Sequence, residues 1–401
     1  MNKLIKFVSL QNFNFFIMNQ FNQYLGFKAF ILLLLFPFLS NGQTSESNSQ
    51  GEIKYPQFKF QGLFQARYLS GFTDGIDATT GLHYSDGKAV ENTFDIKRMR
   101  LGVTTKLGER FDVVVLANLA DFKSDPKGKV LENAFARYTF NKNIGFLVGQ
   151  FRPAFGIEEL NPADILKSFD YSNQYTEFGN NGWTSFQIGA SMFGSFDLGK
   201  LPVTYAVSAV NGNGKDQVSD KDNGKQYSSR LGFELDKKHN VNLGLNGGIG
   251  EVYNNKVFAV GLDLTADFKL ADKLILQTQL EAKQGINHYL YYSLAADSRT
   301  ANLNEYQMRG AYFLPNLRYE IKYQKLTAIE FSCRYEYFDR NFKLDSNARQ
   351  TYTPMAGLEF GKGYTGRIEM GMQLDTYKHN IANTTAYDNN LFIIQFQGRF
   401  F

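Results

Sequence analysis

Apolar and polar residues alternate in short segments that recur from residue 58 to the end of the chain. The clearest has Phe58, Phe60, Gly62, Phe64, Ala66 and Tyr68 on one face and Lys59, Gln61, Gln65 and Arg67 on the other. The same period of two sets Met99, Leu101 and Val103 against Arg98, Arg100, Thr104 and Lys106, and Leu274, Leu276 and Leu280 against Gln277, Gln279, Glu281 and Lys283. It returns in Phe331, Cys333, Tyr335 and Tyr337 against Ser332, Arg334 and Glu336, and in Ile368, Met370, Met372 and Leu374 against Arg367, Glu369, Gln373 and Asp375. Period two predicts β-strands with one greasy and one wet face. Alternation alone fits a soluble sandwich or a membrane barrel. Segments of about ten residues favour the barrel, because tilted membrane strands are that long and sandwich strands cluster near five or six.

The gaps between segments alternate in length. Short ones fall at 108–110, 141–143, 197–202, 237–240, 269–272, 323–326 and 361–363, and longer ones at 70–93, 153–182, 212–226, 285–305, 340–351 and 376–389. Two further intervals on the long side, 123–129 and 251–256, are only moderate. Short turns on one side and long loops on the other mark an outer-membrane barrel. The expected fold is all-β, a transmembrane antiparallel barrel of about sixteen strands with both ends on the short-turn side. The phase of Phe111 to Phe122 is unassigned, because Val113 to Leu116 are all apolar, and Pro315 is expected to mark a bulge. No apolar run beyond residue 43 approaches a membrane helix. In lipid a closed sheet is then the way to pair every backbone N–H and C=O.

Composition supports this: 38 Phe, 23 Tyr and 36 Gly beside 8 Pro suit a long, turn-rich sheet. The lone Cys333 gives no disulfide framework, and on an apolar face without a basic neighbour it is expected to be inert. Residues 1–42 contain no acid, carry Lys3, Lys6 and Lys28, and hold the apolar run Ala29 to Leu39 before Ser40-Asn41-Gly42. They read as an export signal, with Met18 an alternative start. Its removal takes three of 43 basic side chains and none of 39 acidic ones, leaving a net charge of +1. No basic face for nucleic acid remains. The division is a signal over 1–42, a short periplasmic segment over 43–56 and the barrel over 57–401.

Several stretches resemble a known family. Val148-Gly149-Gln150-Phe151-Arg152-Pro153-Ala154-Phe155-Gly156-Ile157-Glu158 looks like the signature of the phosphate-selective porin O and P family at the top of the fifth strand. Lys97 to Val103, Ala206 to Gly212, Ser332 to Glu336 and Leu391 to Phe400 are similar to other strands of that family, in the same order. The resemblance implies a sixteen-stranded, trimeric outer-membrane channel with one loop folded into the lumen, of the type found in Bacteroidetes. Phe400 keeps phase with Phe392, Ile394 and Phe396, as a terminal strand read by the assembly machinery should, but the chain continues to Phe401.

No catalytic group or cofactor site is indicated. His83, His239, His288 and His379 are scattered singly and read as solvated loop residues, while Gly212-Asn213-Gly214-Lys215 and Gly247-Gly248-Ile249-Gly250 complete no phosphate loop. The wet face is the candidate site. Arg98, Arg100, Lys106, Arg137, Arg230, Lys283, Arg334 and Arg367, with Glu234, Glu281, Glu336 and Glu369, recur at one phase as candidate pore-lining residues. They could ring a water-filled pore or form a cross-strand salt-bridge lattice.

The longest gap, 153–182, is expected to fold inward as a constriction loop, with a short helix starting at Asn161-Pro162-Ala163-Asp164. It is acidic: Glu158, Glu159, Asp164, Asp170 and Glu177 against Lys167. If Arg98, Arg100 and Arg137 lie opposite, the two surfaces would set up a transverse field. The expected function is passive diffusion of small hydrophilic solutes and ions, phosphate and other anions among them, by a homotrimer in outer-membrane lipid. An outer-membrane barrel enzyme and a plugged structural or adhesin barrel are the competing readings.

Overall fold

The computed structural model describes residues 54–400 except 124, 216–219, 221 and 362. The expected signal and Phe401 lie outside the described residues. Sixteen antiparallel strands follow one another around a closed barrel, each hydrogen-bonded to its sequence neighbours. The first eight are β1 (Gln57–Gly71), β2 (Asn92–Lys106), β3 (Phe111–Asn118), β4 (Leu131–Asn141), β5 (Ile144–Phe151), β6 (Gln187–Leu198), β7 (Leu201–Val210) and β8 (Gln226–Asp236). The others are β9 (Val241–Val252), β10 (Asn255–Ala271), β11 (Leu274–Ile286), β12 (Gln307–Tyr323), β13 (Leu326–Asp339), β14 (Arg349–Phe360), β15 (Gly366–Tyr377) and β16 (Asn390–Phe400). Pairing of β1 with β16, from Gly62 opposite Phe400 to Gly71 opposite Leu391, closes the sheet and leaves no free edge. At that seam Gly62 makes room for the Phe400 ring, which would collide with any Cβ there.

The outer face is largely apolar, with polar side chains such as Arg309 and Gln350 toward the long-loop end. Phe58, Phe94, Val148, Ile249, Val260, Phe331, Met370 and Phe396 are exposed. At the short-turn end Phe111, Tyr138, Phe140 and Phe146 form a chain of ring contacts 4.7 to 6.5 Å apart, part of an aromatic girdle. Alternate residues point inward, so Gln65, Arg98, Glu281, Arg334 and Glu369 are buried inside the barrel. Among the described residues no helix is long and apolar enough to cross a membrane.

Several local expectations are corrected. The interval near 251–256 is a two-residue hairpin, Tyr253-Asn254, with both residues at positive φ (48° and 64°), a geometry that suits the twist of tight hairpins. The apolar run after Phe111 is strand only to Asn118, followed by a 3-10 turn at Leu119–Phe122. Within it Val114 is buried and Val115 is exposed outside. Pro315 makes no bulge: β12 keeps its register across it, with Phe313 opposite Tyr335 and Asn316 opposite Ser332. The bulge that matters is in β2, where Gln65 pairs with Arg98 and Ala66 with Ile96, leaving Lys97 as the extra residue.

Candidate functional site: a loop clamped across the charged lumen

Residues 152–186 connect β5 to β6 and fold into the barrel. The family-like segment at the end of β5 ties the start of this loop together. Arg152 bonds the Glu159 carboxylate at 2.6 Å, the carbonyls of Glu158 and Asn161 at 2.6 and 3.2 Å, and the Tyr171 hydroxyl at 3.1 Å. Gly156 has φ 104°, and a side chain there would run into Glu281 and Lys283, so the chain can approach β11 closely because glycine stands at this point. The expected helix at Asn161 to Asp164 is only a 3-10 turn, Ala163–Ile165, with Pro162 in the cap position and no side-chain cap. The loop's α-helix is Asn173–Asn180, capped by Ser172, whose side chain accepts from the Tyr175 N–H.

The loop is bonded to wall residues around much of the barrel. Toward β9 and β11, the N–H of Gly156 donates to Asn246 (2.9 Å) and that of Ile157 to Glu281 (3.0 Å). Toward β15 and β16, Arg367 donates to the Leu166 carbonyl at 2.8 Å, Gln397 to the Asp164 carbonyl at 2.9 Å, and Arg399 pairs with the Asp164 carboxylate. Toward β13, Ser332 and Arg334 donate to the carbonyls of Lys167 and Asp170 at 2.7 and 2.6 Å, and Glu336 accepts from the Asn173 N–H at 2.6 Å. Gln226 of β8 holds the Asn181 carbonyl at 2.9 Å.

Asp170 is the centre of this clamp. It meets Arg67 at 3.5 Å, Arg98 at 2.6 Å, and Lys97. The β2 bulge explains how consecutive cations reach one carboxylate. Burial alone would raise the Asp170 carboxyl, but Lys97, Arg98 and Arg67 outweigh it and hold it well below the ordinary carboxylate range. Near the long-loop end the clamp becomes an apolar seat: Phe155, Phe178 and Trp183 pack with Val257, Ala259, Ile286 and Met308. A Cβ on Gly248 would lie 2.5 Å from the Trp183 ring, so glycine in β9 shapes the wall to receive the indole.

The structure thus gathers most of the charged positions read from the strands, and it pairs them. Arg100 meets Glu132 at 2.6 Å, Arg137 meets Asp112 at 2.7 Å, and Arg230 meets Asp263 at 2.5 Å. Lys283 meets Glu281 at 3.0 Å, Arg334 meets Glu336 at 2.6 Å, and Arg367 meets Glu330 and Glu369 at 3.0 and 2.9 Å. Of these, Arg98, Arg230, Glu281, Lys283, Arg334, Glu336, Arg367 and Glu369 are buried, whereas Lys106 lies exposed at the short-turn rim and Glu234 is half-buried. In the loop, Glu158 and Glu159 are buried, Asp164 and Asp170 are ion-paired, and Glu177 bonds Asn287 at 2.8 Å and Arg340 at 3.2 Å. Arg98 opposes the acidic loop, while Arg100 and Arg137 are spent on wall carboxylates.

Residues missed in the sequence include Arg152, Lys97, Asp263 and Glu330. Asp263 and Glu330 could have been found from strand phase, and Arg152 from its place in the family-like segment. Lys97 could not, since a bulge is invisible to a period of two. Of the histidines, His83 stacks on Tyr387 at 4.0 Å and His239 pairs with Asp236 at 2.6 Å, but His288 is buried, contrary to the expectation of a solvated loop residue.

Glu158 gives the loop a pH dependence. Its carboxylate accepts from the N–H and hydroxyl of Ser172 at 2.8 and 2.5 Å. Burial, then the neighbouring Glu281, push it up to about 7 from an ordinary 4.5, against the pull of Arg334 and Lys283. A raised carboxyl binds its proton more tightly with the loop seated than with it free, so the Glu158 contribution to seating is greatest below 4.5 and is lost as pH rises through the window from 4.5 to about 7. Single-channel current noise from loop motion is expected to grow across that window and level off above it. Glu158→Gln should remove the dependence.

A closed sixteen-stranded barrel with an apolar exterior and a charged interior crossed by one clamped loop is the architecture of an outer-membrane porin. The resemblance read from the sequence is borne out: the family model described as phosphate-selective porin O and P matches residues 76–244. Among solved structures, the outer membrane channel DcaP of Acinetobacter baumannii is similar with a TM-score of 0.54 at 13% identity, over 86% of this chain and 97% of that one. The Vibrio cholerae outer membrane protein OmpT, in its trimer form, is similar with a TM-score of 0.51 at 10% identity, over 86% of this chain and 100% of that one. No curated protein sequence matches the chain.

Proposed function

We propose that the protein is an outer-membrane porin through which small hydrophilic solutes and ions diffuse passively, with weak selectivity and no preference for phosphate over other anions. The channel class rests on the family match and the barrel. The selectivity rests on one observation: the arginines of the wall are already held by carboxylates, including Arg100, Arg137, Arg230, Arg318, Arg349 and Arg367. A phosphate site needs charge-assisted donors that are not committed elsewhere, because they must replace the water the anion gives up. Here the donors instead fasten the wall and the loop. The fold is used as a channel and not as an enzyme.

A homotrimer in outer-membrane lipid fits the same reading, as do export by a cleaved signal in residues 1–42 and recognition of the terminal strand by the assembly machinery. The trimer form of the Vibrio cholerae protein, a likeness of fold, supports the first of these. The test of selectivity is the reversal potential across a bilayer under a KCl gradient, followed by added phosphate. A potential near zero and no block by sub-millimolar phosphate are expected. Strong anion preference with block at that concentration would overturn the proposal.

A further inference from the structure

Beneath the clamped loop, on the short-turn side, lies a cavity of about 430 Å³. That volume is within the range of small-molecule sites. Its wall comes from β7 to β11 with Leu314 of β12, and presents the uncharged hydrogen-bonding groups Thr204, Thr265 and Gln277, beside Asn242 and Gln279, whose amide N–H₂ groups donate to Asn240 and to the Tyr312 hydroxyl. The loop supplies the roof, with Leu160 exposed there and Asn161 beside it. A neighbouring cavity of about 250 Å³ shares Asn161, Lys167, Gln277, Gln279 and Leu314, so the polar lining extends inward toward Glu158 and Arg334.

The charges around the space do not favour an anion. Lys167 reaches it from the loop, but Glu234 and Asp267 line it as well, and the guanidinium of Arg230 is held by both carboxylate oxygens of Asp263 at 2.5 and 2.8 Å. Amides and hydroxyls that both donate and accept, combined with an apolar platform, complement a ligand that is itself covered in hydroxyls on an aliphatic frame. The Gln277 carbonyl accepts from Asn316 at 3.2 Å, which assigns its amide N–H₂ as the group for a solute in the cavity it lines.

We propose that this vestibule is a binding subsite for neutral polyhydroxylated solutes of mono- to disaccharide size, and that such solutes are the preferred cargo of the channel. The inference rests on the channel reading and adds the solute class. Contact with Leu160 buries the aliphatic face of the sugar, while Thr265 and Gln277 exchange hydrogen bonds with its hydroxyls.

Titration calorimetry on the detergent-solubilised full barrel with maltose, and separately with sodium phosphate, tests the site without requiring conduction. Saturable maltose binding is expected, with none for phosphate. Gln277→Ala and Thr265→Val should each weaken it about fivefold, the effect of losing one hydrogen bond. Leu160→Asp, at an exposed loop position, should weaken it further. Phosphate binding without maltose binding would overturn the inference, as would maltose affinity unchanged in all three variants. In a bilayer, maltose added on the short-turn side should reduce the current. A conducting channel that neither binds maltose nor is blocked by it refutes the subsite alone, whereas a protein that binds maltose but never conducts refutes the channel reading.

Discussion

Replacing Asp170 by alanine is expected to free the middle of the loop and raise single-channel conductance severalfold, with open-channel flicker. The carboxylate is the shared partner of Arg67, Lys97 and Arg98, all reaching it from β1 and β2. Asp170 is itself half-buried, but its loss leaves the buried guanidinium groups of Arg67 and Arg98 without their shared partner, which destabilises the seated loop. The side chains stranded here can relieve that cost by turning toward water as the loop lifts. Asp170→Asn keeps the shape and should give an intermediate effect. Conductance and thermal stability both unchanged in Asp170→Ala would mean that the bonds from Arg367, Ser332 and Gln397 hold the loop without it.

Met370→Arg is expected to destabilise the barrel by about 2 to 4 kcal/mol if the residue sits near the bilayer midplane, as measured by reversible urea unfolding in lipid vesicles. Met370 is half exposed on the outer face of β15, where the surroundings are hydrocarbon. Gln277→Arg, one face away on β11 and lining the vestibule, should cost little by the same measurement. Equal costs at the two sites would contradict the assignment of an apolar outside and a wet inside.

That assignment was the part most legible in the sequence. A period of two is a direct imprint of side chains pointing to opposite faces, so Met370 and Arg367 could be sorted without coordinates. Sixteen strands followed from the alternation of short and long gaps, although one gap on the long side proved to be the two-residue hairpin Tyr253-Asn254. Strand phase shows that Arg230 and Glu281 face inward, but not what they meet there. Asp263 lies two strands from Arg230 in the register, and Asp170 reaches Arg98 from a loop more than seventy residues away. Long-range partners of this kind depend on barrel closure and on the path of the loop. The Lys97 bulge shows the same limit at short range: one added residue turned a lysine of the wrong phase into part of the clamp.

The paired interior also bears on how the loop works. Cations that hold the loop by its carbonyls, as Arg334 holds Asp170 and Arg367 holds Leu166, fix its backbone while leaving its side chains to shape the space below. The vestibule beneath Leu160 and Lys167 is therefore a consequence of the same bonds that restrict the lumen.

The most direct measurement is the current carried by the purified protein in a planar lipid bilayer. A water-filled, passive channel predicts discrete conductance steps, linear in voltage around zero, that grow in proportion to salt concentration. Insertion confirmed by protease protection, with no current across the whole voltage range, would contradict it.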